Sequence, residues 1–301
     1  MGGSIVDLLR GLAAGRGETG GVAADVLIGL AGRGIQSSRT PGMHEREARR
    51  LGIGYSYLLL DFDRLGLPDE AIGEVIDAAR QAGFSGLNVT HPFKQAAIPS
   101  LDRLSPEAAA IGAVNTVVFA AGGKEGHNTD SWGFAESFRE DMAGVALDRV
   151  AMFGAGGAGA AVAHALMEPG VKELAIVDSD EGRADMLAAR MAATFGARVR
   201  AGQGAAAVVH AADGIVNTTP VGMAKYPGTP FDAALLDPSK WVADIIYFPA
   251  ETELLRRARA AGCRVLPGIG MAIYQAVRAF ELFSGRKADR VAMARHFEAA
   301  A

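Results

Sequence analysis

The segment Arg149-Val-Ala-Met-Phe-Gly-Ala-Gly-Gly-Ala-Gly159 predicts an apolar strand that runs into a glycine-rich turn and then into a helix ending near Met167. The next apolar run, Glu173 to Val177, predicts a second strand, and Asp178 follows it about 20 residues after the last glycine. Glycine lets backbone N–H groups approach a pyrophosphate at a helix N-terminus, so this context is the fingerprint of a dinucleotide-binding fold. The predicted cofactor loop consists of Gly154, Gly156, Gly157, Ala158 and Gly159. A close-packed turn with no ligand is the alternative interpretation.

The residue that ends the second strand bears on the choice of cofactor. Asp178 can accept hydrogen bonds from a ribose diol, whereas a 2′-phosphate would be repelled by its carboxylate. The segment that follows, Ser179-Asp180-Glu181, adds negative charge where a phosphate site would need Arg or Lys. Arg183 is near enough to stack on adenine or to pair with Asp178, and a 2′-phosphate site that uses this arginine is the alternative. The local charge therefore predicts NAD as the cofactor.

Composition narrows the classes of protein that fit the chain. Its 301 residues are 50% hydrophobic, which is enough for one large or two modest domains. The net charge is −4, so no basic field exists to attract nucleic acid or an anionic membrane. Cys263 is the only cysteine, which is typical of a reduced, cytoplasmic protein. The uncharged run from Val150 to Met167 holds four glycines and a histidine, which favours a strand, turn and helix over a membrane span.

Apolar runs and helical patterns alternate along the chain, which predicts an α/β fold with largely parallel sheets. Strands are expected at 26–30, 55–60, 86–90, 113–119, 149–153, 173–177, 214–217, 242–246 and 264–266. Helices are expected at 41–51, 68–82, 157–167, 258–261 and 271–283. Residues 1–24 are predicted to form an N-terminal arm outside the fold, either a short helix or a loose segment. Asp7 and Arg10 interrupt its apolar run, so no signal peptide is expected there.

A group of polar motifs precedes the glycine turn. Asn88-Val-Thr-His-Pro-Phe-Lys94 follows a predicted strand, and Ala113-Val-Asn-Thr116 and His127-Asn-Thr-Asp130 come next. When an alcohol is oxidised, a base must take the hydroxyl proton, and a desolvated lysine oriented by a carboxylate can do so. We therefore predict Lys94 and Asp130 as a catalytic pair beside a cage for a polyhydroxylated small molecule. The alternative role for Asp130 is an N-cap, because a helix is expected directly after it.

These motifs, in this order, resemble the shikimate dehydrogenase family, closest to its NAD-dependent quinate/shikimate dehydrogenase branch. The resemblance extends from Asp25 to the C-terminus. Besides the glycine loop, it is carried by Ile28-Gly-Leu30, Ser38-Arg-Thr-Pro41, Asn88 to Lys94, Gly112-Ala-Val-Asn-Thr116, Gly126-His-Asn-Thr-Asp130, Asn217-Thr-Thr-Pro-Val-Gly-Met223, Asp244-Ile-Ile-Tyr-Phe-Pro249 and Gly268-Ile-Gly-Met-Ala-Ile-Tyr-Gln275. Many shikimate-specific members have serine in place of Thr40 and a phosphate-binding run in place of Asp178-Ser-Asp180. Both departures point to the NAD branch.

The resemblance implies an N-terminal α/β substrate-binding domain of residues 25–122, to which C-terminal helices of residues 268–301 return. It also implies a doubly wound Rossmann-type NAD-binding domain of residues 123–267.

The resemblance also implies roles for single residues. The implied substrate contacts are Ser38 and Thr40 for the carboxylate, Thr90, Asn115 and Gln275 for ring hydroxyls, and Tyr247 near the carboxylate or nicotinamide. The implied lining of the cofactor cleft is Pro220, Val221, Gly222, Met223, Ile245 and Gly268. Taken singly, these residues also fit ordinary roles: Ser38 and Thr40 as helix caps, Gln275 as a surface amide, and Met223 and Ile245 as core.

The resemblance thus predicts an NAD-dependent oxidoreductase, a monomer or homodimer, that reversibly oxidises a ring hydroxyl of shikimate or quinate to 3-dehydroshikimate or 3-dehydroquinate. A dehydrogenase of amino-substituted shikimates or quinates, a transferase or cyclohydrolase, and a non-catalytic module that binds metabolite and NAD are the alternatives. No metal centre is expected, because the six histidines show no ligand-like spacing, and no P-loop run is present.

Overall fold

The protein, analysed as a computed structural model, is described for residues 4–15 and 25–298. The chain divides into two units. Unit 1 is formed by the described residues of Met1–Thr129 and Ala276–Ala301, and unit 2 is the continuous segment Asp130–Gln275. Across the described ranges, none of the helices has the length and apolar character that crossing a membrane requires.

Unit 1 is built on a six-stranded sheet in the order β2-β1-β3-β5-β6-β4. Its strands are β1 (Val26–Gly32), β2 (Tyr55–Asp61), β3 (Gly86–Val89), β4 (Arg103–Leu104), β5 (Thr116–Ala120) and β6 (Gly123–His127). Strand β1 runs parallel to both β2 and β3, but β5 is antiparallel to β3 and β6. The sheets are largely parallel, as predicted, and the two antiparallel pairs made by β5 are the exception. The turn from Ala120 to Gly123 is too short for the crossover that a parallel pair needs.

The first helices of unit 1 are α1 (Ile5–Ala14), α2 (Thr40–Arg50), α3 (Phe62–Leu65), α4 (Ile72–Gln81) and α5 (Pro106–Ile111). Helix α1 corrects the prediction of an arm outside the fold. Leu9 is fully buried in the core of unit 1, where Ile5 and Val6 also pack, and Arg10 Nη2 donates to the Gln81 carbonyl of α4 at 3.4 Å. These apolar side chains recur at helical spacing, so one face of α1 is buried. The rest of the predicted arm, residues 1–3 and 16–24, lies outside the described residues.

Unit 2 contains a six-stranded, wholly parallel sheet in the order β12-β11-β10-β7-β8-β9. Its strands are β7 (Arg149–Phe153), β8 (Glu173–Val177), β9 (Val199–Ala201), β10 (Gly214–Asn217), β11 (Trp241–Asp244) and β12 (Arg264–Pro267). Counted along the chain, the order is 3-2-1-4-5-6, which is the doubly wound arrangement of dinucleotide-binding domains. The predicted two-domain α/β fold with a Rossmann-type unit is confirmed.

The remaining helices are α6 (Thr129–Asp141), α7 (Gly157–Met167), α8 (Glu181–Phe195), α9 (Ala205–Ala211), α10 (Glu253–Ala260), α11 (Ile269–Ser284) and α12 (Arg290–Glu298). The units meet along the chain at Thr129/Asp130 and within α11 at Gln275/Ala276, rather than at 122/123 and 267/268. Strand β6 explains the first difference, because it pairs with β5 along its whole length. The first half of α11 packs in unit 2, where a Cβ on Gly133 would lie 2.8 Å from the backbone of Gln275.

Candidate active site

The glycine loop joins β7 to α7 at the switch point of the unit 2 sheet. There β7 and β10 are parallel neighbours, and the connections that follow them lead to opposite sides of the sheet, to β8 and to β11. Gly154 has φ +106°, and a Cβ on it would lie 2.6 Å from Thr218 Oγ1. A Cβ on Gly159 would lie 2.3 Å from the Gly154 carbonyl oxygen. Gly156 differs from both, because a Cβ there would meet nothing within 4 Å. The first and third glycines are thus required by packing, and the second leaves open space in front of the helix.

That open space lies at the N-terminus of α7, whose first helical residues are Gly157 and Ala158. The helix has an extended Gly156 in its cap position and no acidic side chain in its first turn. Its first backbone N–H groups and the positive end of its dipole therefore favour an anion. A pyrophosphate fits this cradle.

Asp178 lies at the end of β8, next to the glycine loop. Its Oδ2 accepts a hydrogen bond from the Ala155 N–H at 2.7 Å, and its Oδ1 accepts one from the Asp180 N–H at 2.9 Å. The carboxylate is therefore fixed beside the loop. Arg183, which was considered as a partner of Asp178, instead lies with its Nε 3.5 Å from Asp180 Oδ2, and both of these side chains are exposed.

The segment that follows β10 lies at the carboxyl ends of the parallel strands of unit 2, as the glycine loop does. Asn217 is fully buried, and its Nδ2 donates to the Val221 carbonyl at 2.9 Å and to Asp244 Oδ1 at 3.1 Å. Its Oδ1 accepts hydrogen bonds from the Thr219 N–H and hydroxyl. The loop from Pro220 through Gly222 to Met223 is thereby anchored to the sheet. Met223 is 42% exposed, which contradicts a core role for it.

Asp244 ends β11 and is buried. It accepts hydrogen bonds from the Ile246 N–H at 3.0 Å and the Thr252 hydroxyl at 2.8 Å, and burial raises the pKa of its carboxyl group. Directly after it, Ile245 touches Gly268, where a Cβ would lie 2.3 Å from the Ile245 carbonyl. The predicted cofactor-lining residues of unit 2 therefore follow the carboxyl ends of its parallel strands. Asn217 and Asp244 were not predicted as anchors, although a polar residue ending a buried strand is a usable signal.

Unit 1 carries several of the predicted site residues at one edge of its own sheet, whereas Tyr247 and Gln275 belong to unit 2. Thr90 directly follows β3, and its N–H donates to the Ala31 carbonyl of β1 at 3.0 Å. Lys94 is half-buried in the next turn, and its carbonyl accepts the Val114 N–H at 2.8 Å. The turn that carries Lys94 is thus fixed on both sides by backbone hydrogen bonds.

Asn115 lies just before β5, at the same edge, and is buried. Its Oδ1 accepts the Thr129 N–H at 2.8 Å, and its Nδ2 donates to Thr129 Oγ1 at 2.9 Å. These bonds hold the first residue of α6, so the helix begins at Thr129 and not at Ser131. Asp130 is therefore in the first helical turn and is not the N-cap. It is only 6% exposed, and a carboxylate is favoured near a helix N-terminus.

Ser38 and Thr40 flank the start of α2 and are half-buried. The cap position is occupied by Arg39, and no side-chain hydrogen bond caps the helix, so the alternative role of Ser38 and Thr40 as caps is wrong.

The other two predicted substrate contacts lie in unit 2. Gln275 is in α11, where its Nε2 donates to the Ala272 carbonyl at 3.0 Å, and Tyr247, which follows β11, is 42% exposed. Over the described ranges, no three or more His, Cys, Asp or Glu side chains form a group that could hold a metal ion.

Comparison with known proteins gives consistent matches. The family model for the shikimate dehydrogenase substrate binding domain matches residues 30–117, and that for the shikimate 5′-dehydrogenase C-terminal domain matches residues 268–296. A shikimate dehydrogenase (NADP(+)) of Streptomyces avermitilis is 52% identical over 89% of this chain and 93% of its own length. A quinate/shikimate dehydrogenase (NAD(+)) of Corynebacterium efficiens is 47% identical over 88% of this chain and 94% of its own. The structure of quinate dehydrogenase from Corynebacterium glutamicum in complex with NAD gives a TM-score of 0.85 at 45% identity, covering 91% of this chain and 99% of that one.

Proposed function

Because this chain belongs to the shikimate dehydrogenase family, we propose that it is an NAD-dependent enzyme that reversibly oxidises a ring hydroxyl of shikimate, quinate or both. The products would be 3-dehydroshikimate and 3-dehydroquinate. Its relatives are divided between the two cofactors, since the Streptomyces protein is named for NADP and the Corynebacterium protein for NAD. The observation that supports NAD is Asp178, whose carboxylate is held 2.7 Å from a glycine-loop N–H.

In the proposed mechanism, the chain binds the acid and moves one proton. Ser38 and Thr40 donate hydrogen bonds to the substrate carboxylate. The ring hydroxyls would be held by Thr90, Asn115 and Gln275, with Tyr247 near the carboxylate or the nicotinamide. A nicotinamide bound by unit 2 would supply the hydride acceptor.

The proton is handled by Lys94. Its amine takes the hydroxyl proton as the hydride leaves the same carbon, so an alcohol becomes a ketone and the proton ends on Lys94 as an ammonium. Asp130 orients that ammonium. In the reverse direction, Lys94 returns the proton to the alkoxide.

The function is tested by steady-state rates with shikimate and with quinate, each measured with NAD and with NADP. We expect turnover of at least one acid and a preference for NAD. Turnover of neither acid would contradict the assignment. The ratio of kcat/KM between the two acids would define the substrate preference.

The cofactor preference gives a specific prediction for Asp178. An interaction worth about 1.4 kcal/mol changes a rate or affinity tenfold, so we expect kcat/KM for NAD to exceed that for NADP by about tenfold or more. Asp178→Ala should narrow this gap, because it removes the charge that repels the 2′-phosphate. Asp180→Ala is the matched control. It removes the same charge from an exposed carboxylate that caps α8 and pairs with Arg183, and should change the ratio less. Equal kcat/KM for the two cofactors in the unmodified enzyme would refute the NAD assignment.

A second prediction concerns the substrate carboxylate. Ser38→Ala and Thr40→Ala should each raise KM for the acid with little change in kcat, because a carboxylate remote from the reacting carbon is bound alike in the ground and transition states. A hydrogen bond to a charged group contributes about 1.5–3 kcal/mol, so an increase of roughly 10- to 150-fold is expected. Ser37→Ala, at an exposed neighbouring serine, is the control. If both variants keep the original KM for both acids, the carboxylate binds elsewhere.

A further inference from the structure

A chain of buried side-chain hydrogen bonds crosses unit 1 from β2 to the start of α6. The hydroxyl of Tyr57 donates to Asn88 Oδ1 at 2.7 Å, although β1 lies between the strands that carry these residues. Asn88 Nδ2 donates in turn to Thr116 Oγ1 at 3.0 Å and to the Asn115 carbonyl at 3.1 Å. The five linked residues, which include Thr129, are between 0% and 6% exposed. At this depth, water cannot readily replace a lost partner.

The bonds have a fixed direction. Burial raises the pKa of Tyr57, so its phenol remains a donor, and a carbonyl oxygen can only accept. Thr116 Oγ1 accepts from Asn88, and its own hydrogen is donated to Asn115 Oδ1 at 3.0 Å. Asn115 Oδ1 therefore faces Thr116 and the Thr129 N–H, and its Nδ2 faces Thr129 Oγ1. One of the two Nδ2 hydrogens goes to Thr129, and the other is the hydrogen that a substrate hydroxyl would accept.

Resting on the proposed function, we propose that Tyr57 and Thr116 are positioning residues. They set the orientation of the Asn115 amide and thereby hold the first turn of α6, which carries Asp130. Neither touches the substrate in this proposal. Tyr57 lies on β2, three strands away from β5 in the sheet, and its contribution to Asn115 is transmitted by the amide of Asn88.

The expected consequence of losing the Tyr57 hydroxyl follows from the same directions. Asn88 Oδ1 would be left buried without its donor, and the Asn88 amide would lose the bond that fixes its rotation. Its Nδ2 bonds to Thr116 Oγ1 and to the Asn115 carbonyl would weaken. The bond from the Thr116 hydroxyl to Asn115 Oδ1, which helps to fix the orientation of the Asn115 amide, would weaken in turn.

Strand β2 offers a matched control. Tyr55 lies on the same face of β2 as Tyr57, and both rings contact the buried His44 ring edge-on. Its hydroxyl also makes one hydrogen bond, but to His44 Nδ1 at 2.9 Å, away from the amide chain. Tyr55→Phe and Tyr57→Phe therefore each remove one phenol hydrogen bond from the same aromatic cluster, and the bond of Tyr55 is partly buried where that of Tyr57 is buried. Only the second change interrupts the path to Asn115.

We expect Tyr57→Phe to lower kcat/KM for the acid by about 5- to 30-fold, the effect of leaving a buried polar group unpaired. KM for NAD should stay within about twofold of the original value. Tyr55→Phe should cost a similar amount of thermal stability and keep kcat/KM for the acid within about twofold. Equal activity losses in the two variants, following their Tm, would overturn the proposal.

Thr116 allows rescue to be tested. Thr116→Val should reduce kcat/KM about as much as Tyr57→Phe, whereas Thr116→Ser keeps the hydroxyl and should retain activity. If both residues act through one chain, the variant with Tyr57→Phe and Thr116→Val should be little worse than the worse single variant. Losses that multiply, or a Thr116→Ser enzyme as impaired as Thr116→Val, would contradict a shared positioning role.

A measurement without turnover separates this inference from the proposed function. The side-chain amide signals of Asn88 and Asn115, followed by NMR in the unliganded protein, should both shift in Tyr57→Phe and should remain in place in Tyr55→Phe. Unchanged Asn115 signals in Tyr57→Phe would overturn the positioning role whatever the enzyme turns over. Shifted signals in a protein that oxidises neither acid would contradict the proposed function alone.

Discussion

Lys94→Ala is expected to lower kcat by about 10²- to 10⁴-fold with only a modest change in KM, because general acid–base help typically contributes that much to a proton transfer. Lys94 stands in a turn fixed by backbone bonds, so the substitution removes an amine and leaves its support in place. Lys124→Ala, in β6 of the same unit, is the matched control. That lysine pairs with Asp77 at 2.5 Å, and kcat should not change when it is lost. A Lys94→Ala enzyme that keeps the full kcat would contradict the proposed mechanism.

The partner of Lys94 can be tested in the same series. Asp130→Asn should also reduce kcat, because it removes the charge that orients the ammonium and keeps a side chain of similar shape. If the two residues share one proton-transfer function, the double variant should be little worse than the worse single variant. Losses that multiply would mean separate roles, with Asp130 gripping a substrate hydroxyl instead.

The largest expected effect on the cofactor comes from Gly156→Ala. A methyl group there meets nothing within 4 Å in the protein, so the unliganded fold should keep its Tm. It would project into the space where a pyrophosphate must approach the backbone, and KM for NAD should rise by about tenfold or more, at least 1.4 kcal/mol.

Gly159→Ala is the informative comparison. Its methyl group would lie 2.3 Å from the Gly154 carbonyl oxygen, so the loop and α7 must separate. Overpacking of this kind costs about 1–3 kcal/mol, and both Tm and cofactor binding should fall. A Gly156→Ala enzyme with an unchanged KM for NAD would favour the alternative in which the turn is close-packed and binds no ligand.

The sequence predicted unit 2 best where pattern and packing agree. Three elements of unit 2 have the bounds that the sequence predicted: the strand before the glycine loop, the helix after it and the following strand. Each of them is a short apolar run bordered by glycine or by charged residues. Elements of two or three residues, such as β4 and β9, are too short to show a period. Helix α8 was missed, although its Asp180 side chain accepts the Arg183 N–H as an N-cap.

The candidate site was predictable to the extent that its residues lie in contiguous motifs. The motif around Asn88 placed an amide in the expected substrate cage, but that amide is committed to Tyr57, Asn115 and Thr116. Tyr57 is 31 positions from Asn88, and no local pattern marks a hydrogen bond that reaches across an intervening strand. The same holds for Asp130, whose place in the first turn of α6 depends on the distant Asn115 side chain.

The division of unit 1 into two chain segments has a consequence for its folding during synthesis. One hydrophobic core cluster of unit 1 includes Phe283 from α11, and Arg39 Nη1 donates to the Phe297 carbonyl, 258 positions later. A nascent chain emerging from its N-terminus therefore cannot complete unit 1 until its last helices have left the ribosome. The continuous unit 2 has all its strands earlier and is expected to fold first. Until then, the surface of α2 and β2 that later receives α11 and α12 stays uncovered, and this interval is when we expect the nascent protein to be most prone to aggregation and most dependent on chaperones.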